Sequence, residues 1–304
     1  MKRILLVACA AWLSGTANAF AVPVYAAWVA SFGNDTNDCT RTAPCASFTA
    51  AFAQVRPSGV IHVVDTGAFG PLTITHSVTI DGGGLGNTFG AQGLGIAPVQ
   101  FTVNAGTSDV VTIQNLTLSG AFDPIVLSGA PTGIRVNSVG SLHVQHCVFD
   151  AFIDRAIDFR ATGAELQMKE VTINDMATGT GVYVANARAS LEHVSINKTQ
   201  TAVIAAGSST VSVTHSTFNG NGTALAAAYG PTAQLNADDC VLTNNQWGIV
   251  AAQGAKAYVS RSALFNNFIV ALFNDGMSSV ISYGDNRFAG NASDGTFTSM
   301  AAPK

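Results

Sequence analysis

Charged side chains are scarce in this sequence, and the basic ones are not clustered. Asp, Glu, Lys and Arg make up 11% of the 304 residues, with 14 basic and 18 acidic side chains. Nucleic-acid binding normally needs a cationic surface that displaces counterions from phosphates. The composition therefore argues against a nucleic-acid partner.

Long apolar runs are also missing. The run Ile4–Leu13, which follows Lys2 and Arg3, is far shorter than the roughly 20 residues of a membrane-spanning helix. It precedes Ala17-Asn18-Ala19, and these features together are typical of a secretory signal peptide. We expect residues 1–19 to be cleaved near Ala19 and the mature chain, with 12 basic and 18 acidic side chains (14 less the two of the leader), to be secreted to the periplasm or beyond.

Cysteines are few, and one of the five lies in the predicted leader. Cys39 and Cys45 share the polar segment Asn34–Cys45, where a loop disulfide is expected in an oxidising compartment. The other two, Cys147 and Cys240, depend on the repeat described next.

The sequence contains an internal repeat. In the typical six-residue unit the first and sixth residues are apolar, the fourth is small or apolar, and the second, third and fifth are polar. Asn, Asp or Gly commonly follows the unit, as a turn requires. Successive units start 22 to 24 residues apart, and one earlier unit starts 31 residues before the first of these. The units are Ile113–Leu118, Val144–Phe149, Met168–Ile173, Leu191–Ile196, Val213–Phe218, Ala237–Leu242, Val259–Leu264 and Tyr283–Phe288.

A second short strand with period-two alternation follows these units. Its members are Gly133–Val136, Ala156–Phe159, Gly181–Val184, Ala202–Ala205 and Gly248–Ala251. A repeat of this size cannot bury its own apolar face, but stacked coils about 4.8 Å apart can. The spacing predicts an all-β, right-handed parallel β-helix of about ten coils over residues 60–291. A leucine-rich repeat is the alternative, but its fixed leucine spacing is absent.

The stack has consequences for its ends and its cysteines. Cys147 and Cys240 take the same inward position four coils apart, about 19 Å, which is too far for a disulfide. Within the N-terminal segment 20–59, helical spacing behind Ser47 predicts a short helix, Ser47–Val55, that caps the first coil. The tail 292–304 is expected to cover the other end without a helix.

Two segments resemble a known family. Trp28–Asp35, with the nearby cysteines, and Gly67–Gly82 are similar to the start of bacterial secreted right-handed β-helix repeat proteins of the pectin-lyase-like superfamily. The resemblance covers nearly all of the mature chain. It specifies the fold but leaves the function open, because the superfamily includes lyases, hydrolases, epimerases and adhesins.

One motif resembles a catalytic segment of that superfamily. Asn236–Cys240 is similar to the paired-aspartate segment of polygalacturonases, so Asp238 and Asp239 are candidate catalytic residues. The Gly-His-Gly, Arg-x-Lys and Asn-x-Asp segments that accompany it in those enzymes are absent. Two adjacent aspartates at a solvated bend are the simpler interpretation.

The second strands place a mixed-charge column on the surface. Arg135, Asp158 and Tyr183 fall in one outward column, with Arg160 nearby, as a binding patch for an acidic or neutral sugar. Arg135 and Asp158 are also weak catalytic candidates, because pectate lyases combine a basic residue with acids that hold Ca²⁺. The simpler alternative is a set of cross-strand ion pairs.

The bend column and an insertion provide two further candidate sites. The bend column contains His146, Glu170 and His193, which could share a metal ion, although a straight column on a convex corner favours surface stacking. No metal or cofactor is therefore expected, with calcium as the alternative. The 31-residue coil carries an insertion, and Phe122 in it is a candidate ligand contact.

These observations leave three hypotheses for function. The leading one is a secreted glycan-binding or cell-surface module without chemistry, since the enzyme motifs are incomplete. The alternatives are a divergent polysaccharide lyase or glycoside hydrolase, and a self-associating adhesin. The sequence leaves the sugar and the oligomeric state open.

Overall fold

The protein is a right-handed parallel β-solenoid, and its described residues form about nine turns and one short helix. The computed structural model describes residues 23–89, 99–120 and 131–301, without the side chains of 84–89. The predicted leader, its cleavage site and Phe122 lie outside the described residues. Among the described residues, no helix is long and apolar enough to cross a membrane.

The strands are short and follow each other closely along the chain. The first are β1 (Val24–Val29), β2 (Val55–Val63), β3 (Leu72–Ile74), β4 (Val78–Phe89), β5 (Val99–Asn104), β6 (Val110–Ser119), β7 (Thr132–Ser138), β8 (Ser141–Gln145) and β9 (Val148–Asp150). The middle ones are β10 (Arg155–Phe159), β11 (Glu165–Lys169), β12 (Thr172–Ala185), β13 (Arg188–Glu192), β14 (Ser195–Ala206), β15 (Thr210–Thr214), β16 (Thr217–Asn219), β17 (Thr223–Ala228) and β18 (Gln234–Asp238). The last are β19 (Val241–Thr243), β20 (Trp247–Ala251), β21 (Lys256–Ser260), β22 (Ala263–Phe265), β23 (Val270–Asn274), β24 (Ser279–Ser282), β25 (Arg287–Ala289) and β26 (Ser299–Met300).

Every strand pairing is parallel, and the strands form three faces. Face 1 stacks β1, β2, the first part of β4 and β6, β8, β11, β13, β15, β18, β21, β24 and β26. Face 2 contains the later part of β4 and β6, β9, the first part of β12 and β14, β16, β19, β22 and β25. Face 3 stacks β3, β5, β7, β10, the later part of β12 and β14, β17, β20 and β23.

The strand register confirms the repeat. Phe149 pairs with Ile173, and the sixth position of each unit continues in this way to Phe288. The last unit differs at its first position, where Val259 pairs with Ser282 rather than Tyr283. Ser282 is buried and Tyr283 is 39% exposed, so the alignment of Tyr283 was wrong. The coil carries one extra residue at this bend, beside Gly284 with φ +99°.

The bend inside each unit has left-handed backbone geometry. Seven residues of the predicted bend column have φ between +44° and +56°: Asn115, His146, Glu170, His193, His215, Asp239 and Arg261. Such values are uncommon for residues with a Cβ. Here the backbone N–H groups bond to the next coil, as His146 N–H does to Lys169 O at 3.0 Å. The stacking of the coils therefore holds the bends in place.

A ladder of asparagines is buried beside the apolar core. Asn221, Asn245 and Asn267 are at most 2% exposed and follow the turn after each face 2 strand. Each Nδ2 donates to the Oδ1 of the next asparagine, at 3.0, 3.1 and 2.9 Å, ending at Asn291. Each also donates to a main-chain carbonyl of an earlier coil. The sequence predicts these residues in turns, but not their burial.

The N-terminal end is capped by the predicted helix. Helix α1 (Phe48–Gln54) begins after Ser47, whose Oγ accepts a hydrogen bond from Ala50 N–H at 3.1 Å. Phe48 is buried, with its ring 5.5 Å from Phe69 and 5.4 Å from Phe101. The helix thus closes the apolar column at its first coils. Strand β1, which pairs with β2, adds a layer that the repeat does not reveal.

The C-terminal end is covered by extended chain. Ala271 N–H and Leu272 N–H on β23 donate to Ser293 O and Asp294 O, at 2.8 and 3.1 Å. Strand β26 then adds a last layer to face 1. The free edge of β23 is therefore hydrogen-bonded within the chain.

The cysteines have two different environments. Cys39 and Cys45 are joined by a disulfide with their Cα atoms 4.7 Å apart. Cys147 and Cys240 are free and buried. Burial raises the pKa of each of these two thiols to about 12, which keeps both protonated.

Candidate arginine site on face 3

Three arginines surround one buried carboxylate on face 3. Asp158 is fully buried, and its Oδ1 lies 2.8 Å from Arg160 Nε and 3.2 Å from Arg155 Nη1. Its Oδ2 lies 3.3 Å from Arg135 Nε. The register produces this arrangement, because Asp158 pairs with Arg135 on β7 and with Tyr183 on β12. The predicted outward column is therefore present.

Tyr183 covers the arginines from the next coil. The Cζ of Arg155 lies 4.4 Å from the centre of the Tyr183 ring, and that of Arg160 lies 5.4 Å from it. Both distances are within the range of cation–π attraction. The ring and the carboxylate together hold two long side chains that would otherwise be free to move. We call Arg135, Arg155, Asp158, Arg160 and Tyr183 the arginine site.

The arginine site carries excess positive charge toward solvent. The side chains of Arg135 and Arg160 are 36% and 50% exposed, whereas Asp158 is 0% exposed. The hydrogen bond to Asp158 raises the pKa of Arg160, so this guanidinium stays charged. Asp154, which accepts a hydrogen bond from Thr132 Oγ1 at 3.5 Å, is an exposed second carboxylate nearby. Three cations against two anions leave a net charge of +1.

The burial of Asp158 determines what the site can do. A general acid or base has to reach the proton that it transfers, and Asp158 is enclosed by its three arginine partners. It positions the guanidinium groups, and a ligand would contact the arginines and Tyr183. Free N–H groups of a guanidinium bind carboxylates well, because the planar donors match both oxygens. The site is therefore suited to holding an anionic group.

Asp238 and Asp239 point in different directions at a corner between faces 1 and 2. Asp238 accepts a hydrogen bond from Ser260 Oγ at 2.6 Å and pairs with Arg261. Asp239 lies 3.4 Å from His215 Nε2. Each carboxylate has its own partner from a neighbouring coil, as expected for surface ion pairs. The structure thus shows no shared site between the two.

The bend column forms pairs rather than a cluster. His146 Nε2 lies 3.1 Å from Glu170 Oε2, whereas His193 stacks on His215 with ring centres 5.2 Å apart. In the part of the chain that the structure describes, no three His, Cys, Asp or Glu side chains converge as metal ligands would. Each coil therefore contributes one side chain to the bend column at this corner.

Face 3 continues from the arginine site as an apolar strip that sequence reasoning missed. Along the column of Tyr183, the outward residues on the next coils are Ile204, Ala226, Val250 and Phe273. Ile204 is 9% and Ala226 is 8% exposed, although both stand on the outer side of the sheet. The signal was present in the sequence, since the positions equivalent to Asp158 are apolar in every coil from Ile204 onward.

A comparison with protein families agrees with this architecture. The family described as right handed beta helix region matches residues 101–293. Among solved structures, the chain is similar to the GH136 lacto-N-biosidase from Eubacterium ramulus, with 10% identity and a TM-score of 0.35. That match covers 92% of this chain and 67% of the other. No curated protein matches the chain.

Proposed function

Because the chain belongs to the right-handed β-helix family, we propose that it is a secreted module that binds an acidic glycan at the arginine site of face 3. The observation that carries this proposal is the set of three guanidinium groups held by the buried Asp158 and by the Tyr183 ring. The predicted leader, residues 1–19, and the Cys39–Cys45 disulfide support secretion.

The chemistry of the arginine site favours a carboxylate-bearing sugar. Arg160 and Arg135 keep part of their donors toward solvent, and the partly buried Tyr183 ring lies beside Arg160. A sugar ring presents an apolar face to an aromatic ring, and its carboxylate would receive two N–H groups from a guanidinium. Because the guanidinium groups are already ordered by Asp158, little side-chain entropy is lost on binding.

The function we infer is binding without turnover. The described carboxylates near the arginine site are Asp158, which is enclosed, and Asp154, which is exposed beside Thr132. Inverting glycosidases hold two carboxyl groups about 6.5–9.5 Å apart across the sugar. With Asp158 occupied by three arginines, the described residues of the site offer no second accessible carboxylate of the kind that such chemistry needs.

Calorimetric titration tests the proposal with a matched pair of ligands. An acidic polysaccharide and its carboxyl-reduced, neutral form differ only in having a carboxylate or a hydroxymethyl group on each acidic unit, and we expect binding of the first and little of the second. Arg160→Gln should weaken binding roughly 10- to 100-fold, since a charge-assisted hydrogen bond is worth about 1.5–3 kcal/mol. Arg188→Gln, on an exposed arginine of face 1, is the matched control and should bind like the unmodified protein.

Other outcomes would replace the proposal. Equal binding by the Arg160→Gln variant and the unmodified protein would exclude the arginine site. Release of reducing ends or unsaturated uronate that Asp239→Ala abolishes would establish the enzyme hypothesis. A glycan array without binders, together with oligomers that grow with concentration in light scattering, would favour the self-associating adhesin.

A further inference from the structure

Four coils beyond the arginine site, an aromatic pair takes the same place on the coil. Arg155 lies three residues before Asp158, and its guanidinium packs on Tyr183 of the next coil. Trp247 lies three residues before Val250, and its ring packs on Phe273 of the next coil with centres 5.2 Å apart. The register steps through β10, β12, β14, β17 and β20.

The surface between the two pairs is narrow and apolar. Ile204, Ala206 and Ala226 form a cluster of their own on the outer side of face 3, with Tyr183 and Val250 packed against its two ends. The three side chains are 9%, 1% and 8% exposed, so the cluster is a closely packed apolar layer with little surface of its own. A ligand running from the arginine site to the aromatic pair would therefore lie beside this layer rather than on it.

A row of hydroxyl groups runs beside the apolar cluster. Thr180 on β12 pairs with Thr201 on β14, which pairs with Thr223 on β17, and the next residue in this row is Trp247 on β20. All three threonines are half-buried rather than enclosed. Hydroxyl groups at each coil step, next to an apolar floor, provide the donors and acceptors that the edge of a sugar chain requires.

We propose that Trp247 and Phe273 form a second sugar subsite, and that one glycan chain spans both sites along face 3. This inference rests on the proposed function. The positive charge of the arginine site fixes the end where an anionic unit binds, and Phe273 is 37% exposed at the other end. Four steps of about 4.8 Å separate the two sites by roughly 19 Å, which a disaccharide is too short to span. The occupant is therefore an acidic oligosaccharide of several units, lying parallel to the axis of the stack.

A length series of acidic oligosaccharides tests this subsite. Calorimetric affinity of the full mature chain should rise roughly two- to tenfold from disaccharide to hexasaccharide, because an added aromatic contact is worth about 0.5–1.5 kcal/mol. Trp247→Ala should remove that rise and leave the disaccharide affinity within about twofold. Trp247→Phe retains an aromatic face and should preserve much of the rise.

The matched control is Tyr258→Ala, which removes a partly buried aromatic side chain from face 1 and should keep the full length dependence. A second readout is fluorescence in a Trp28→Phe background, where Trp247 is the single tryptophan of a chain beginning at Phe20. Its emission should change with hexasaccharide and not with disaccharide.

The results separate the two proposals. Binding of disaccharide and hexasaccharide with equal affinity by the unmodified chain would overturn the second subsite and leave the arginine site standing. An unchanged length dependence in Trp247→Ala or Phe273→Leu would also overturn it. Absence of binding by every oligosaccharide would remove the proposed function, and the second subsite with it.

Discussion

Replacing Asn245 by alanine removes the middle of the buried asparagine ladder. The Nδ2 of Asn245 donates to Phe218 O and to Asn267 Oδ1, both at 3.1 Å. Its Oδ1 accepts from the main-chain N–H and the Nδ2 of Asn221, at 2.9 and 3.0 Å. Asn245 is 0% exposed, so water does not replace these partners without a change in the packing of the coils.

The magnitude follows from the four hydrogen bonds. Each contributes about 1 kcal/mol net, and the partners left without one carry a desolvation cost. We expect Asn245→Ala to lower the free energy of unfolding by about 3–5 kcal/mol, which is a large part of the roughly 5–15 kcal/mol typical of folded proteins. The exposed Asn219, which accepts one hydrogen bond from Asn244 Nδ2, is the matched control.

Equilibrium unfolding in urea, followed by far-ultraviolet circular dichroism, measures both variants. Asn219→Ala should stay within about 0.5 kcal/mol of the unmodified protein, as surface substitutions usually do. The midpoint for Asn245→Ala should fall with an unchanged dependence on urea concentration. If the two variants unfold within about 0.5 kcal/mol of each other, the ladder does not stabilise the stack and the reasoning is refuted.

Three further predictions concern buried or partly buried groups. Cys147 and Cys240, whose pKa burial raises to about 12, should react with a disulfide reagent at neutral pH only after denaturation. Asp158→Ala should cost about 3 kcal/mol in thermal or urea unfolding, because three arginines lose their counter-charge. Desolvation, then repulsion from Asp175, raises the pKa of Asp150, so the folded state binds its proton more tightly than the unfolded state. Stability from this group therefore falls as pH rises from the unfolded pKa through the folded one, and Asp150→Asn should raise the melting temperature more at pH 7 than at pH 3.

Controls separate these effects from general destabilisation. Asp154→Ala removes an exposed carboxylate beside the arginine site and should change stability by no more than about 0.5 kcal/mol. Asp38→Asn, on the exposed loop of the disulfide, should shift the melting temperature little at either pH. Rapid labelling of Cys147 in the folded protein, or a loss on Asp154→Ala as large as that on Asp158→Ala, would contradict the environments described for these residues.

The fold was predictable because equivalent residues recur at a nearly constant spacing along the chain. Residues such as Phe149, Ile173 and Ile196 recur at two-dozen-residue spacing, and the spacing alone places them one above another in the stack. The same spacing predicts that Cys147 and Cys240 lie too far apart for a disulfide. It also predicts that Arg135, Asp158 and Tyr183 lie in one column. The prediction erred at Tyr283, where one added residue near Gly284 shifts the last unit and the periodicity no longer indicates which residue turns inward.

The sequence by itself thus determined the solenoid, its capping helix and, apart from the last unit, the membership of its columns, since these depend on alternation and spacing along the chain. Only the tertiary structure decided what each column does. Asp158 stands in an outward column yet is enclosed, because three arginines from two strands and a turn converge on it. Asn245 follows a turn yet is buried, because equivalent amides on adjacent coils satisfy one another. Burial of a polar group depends on partners from other coils, and those partners are neighbours only once the coils are stacked.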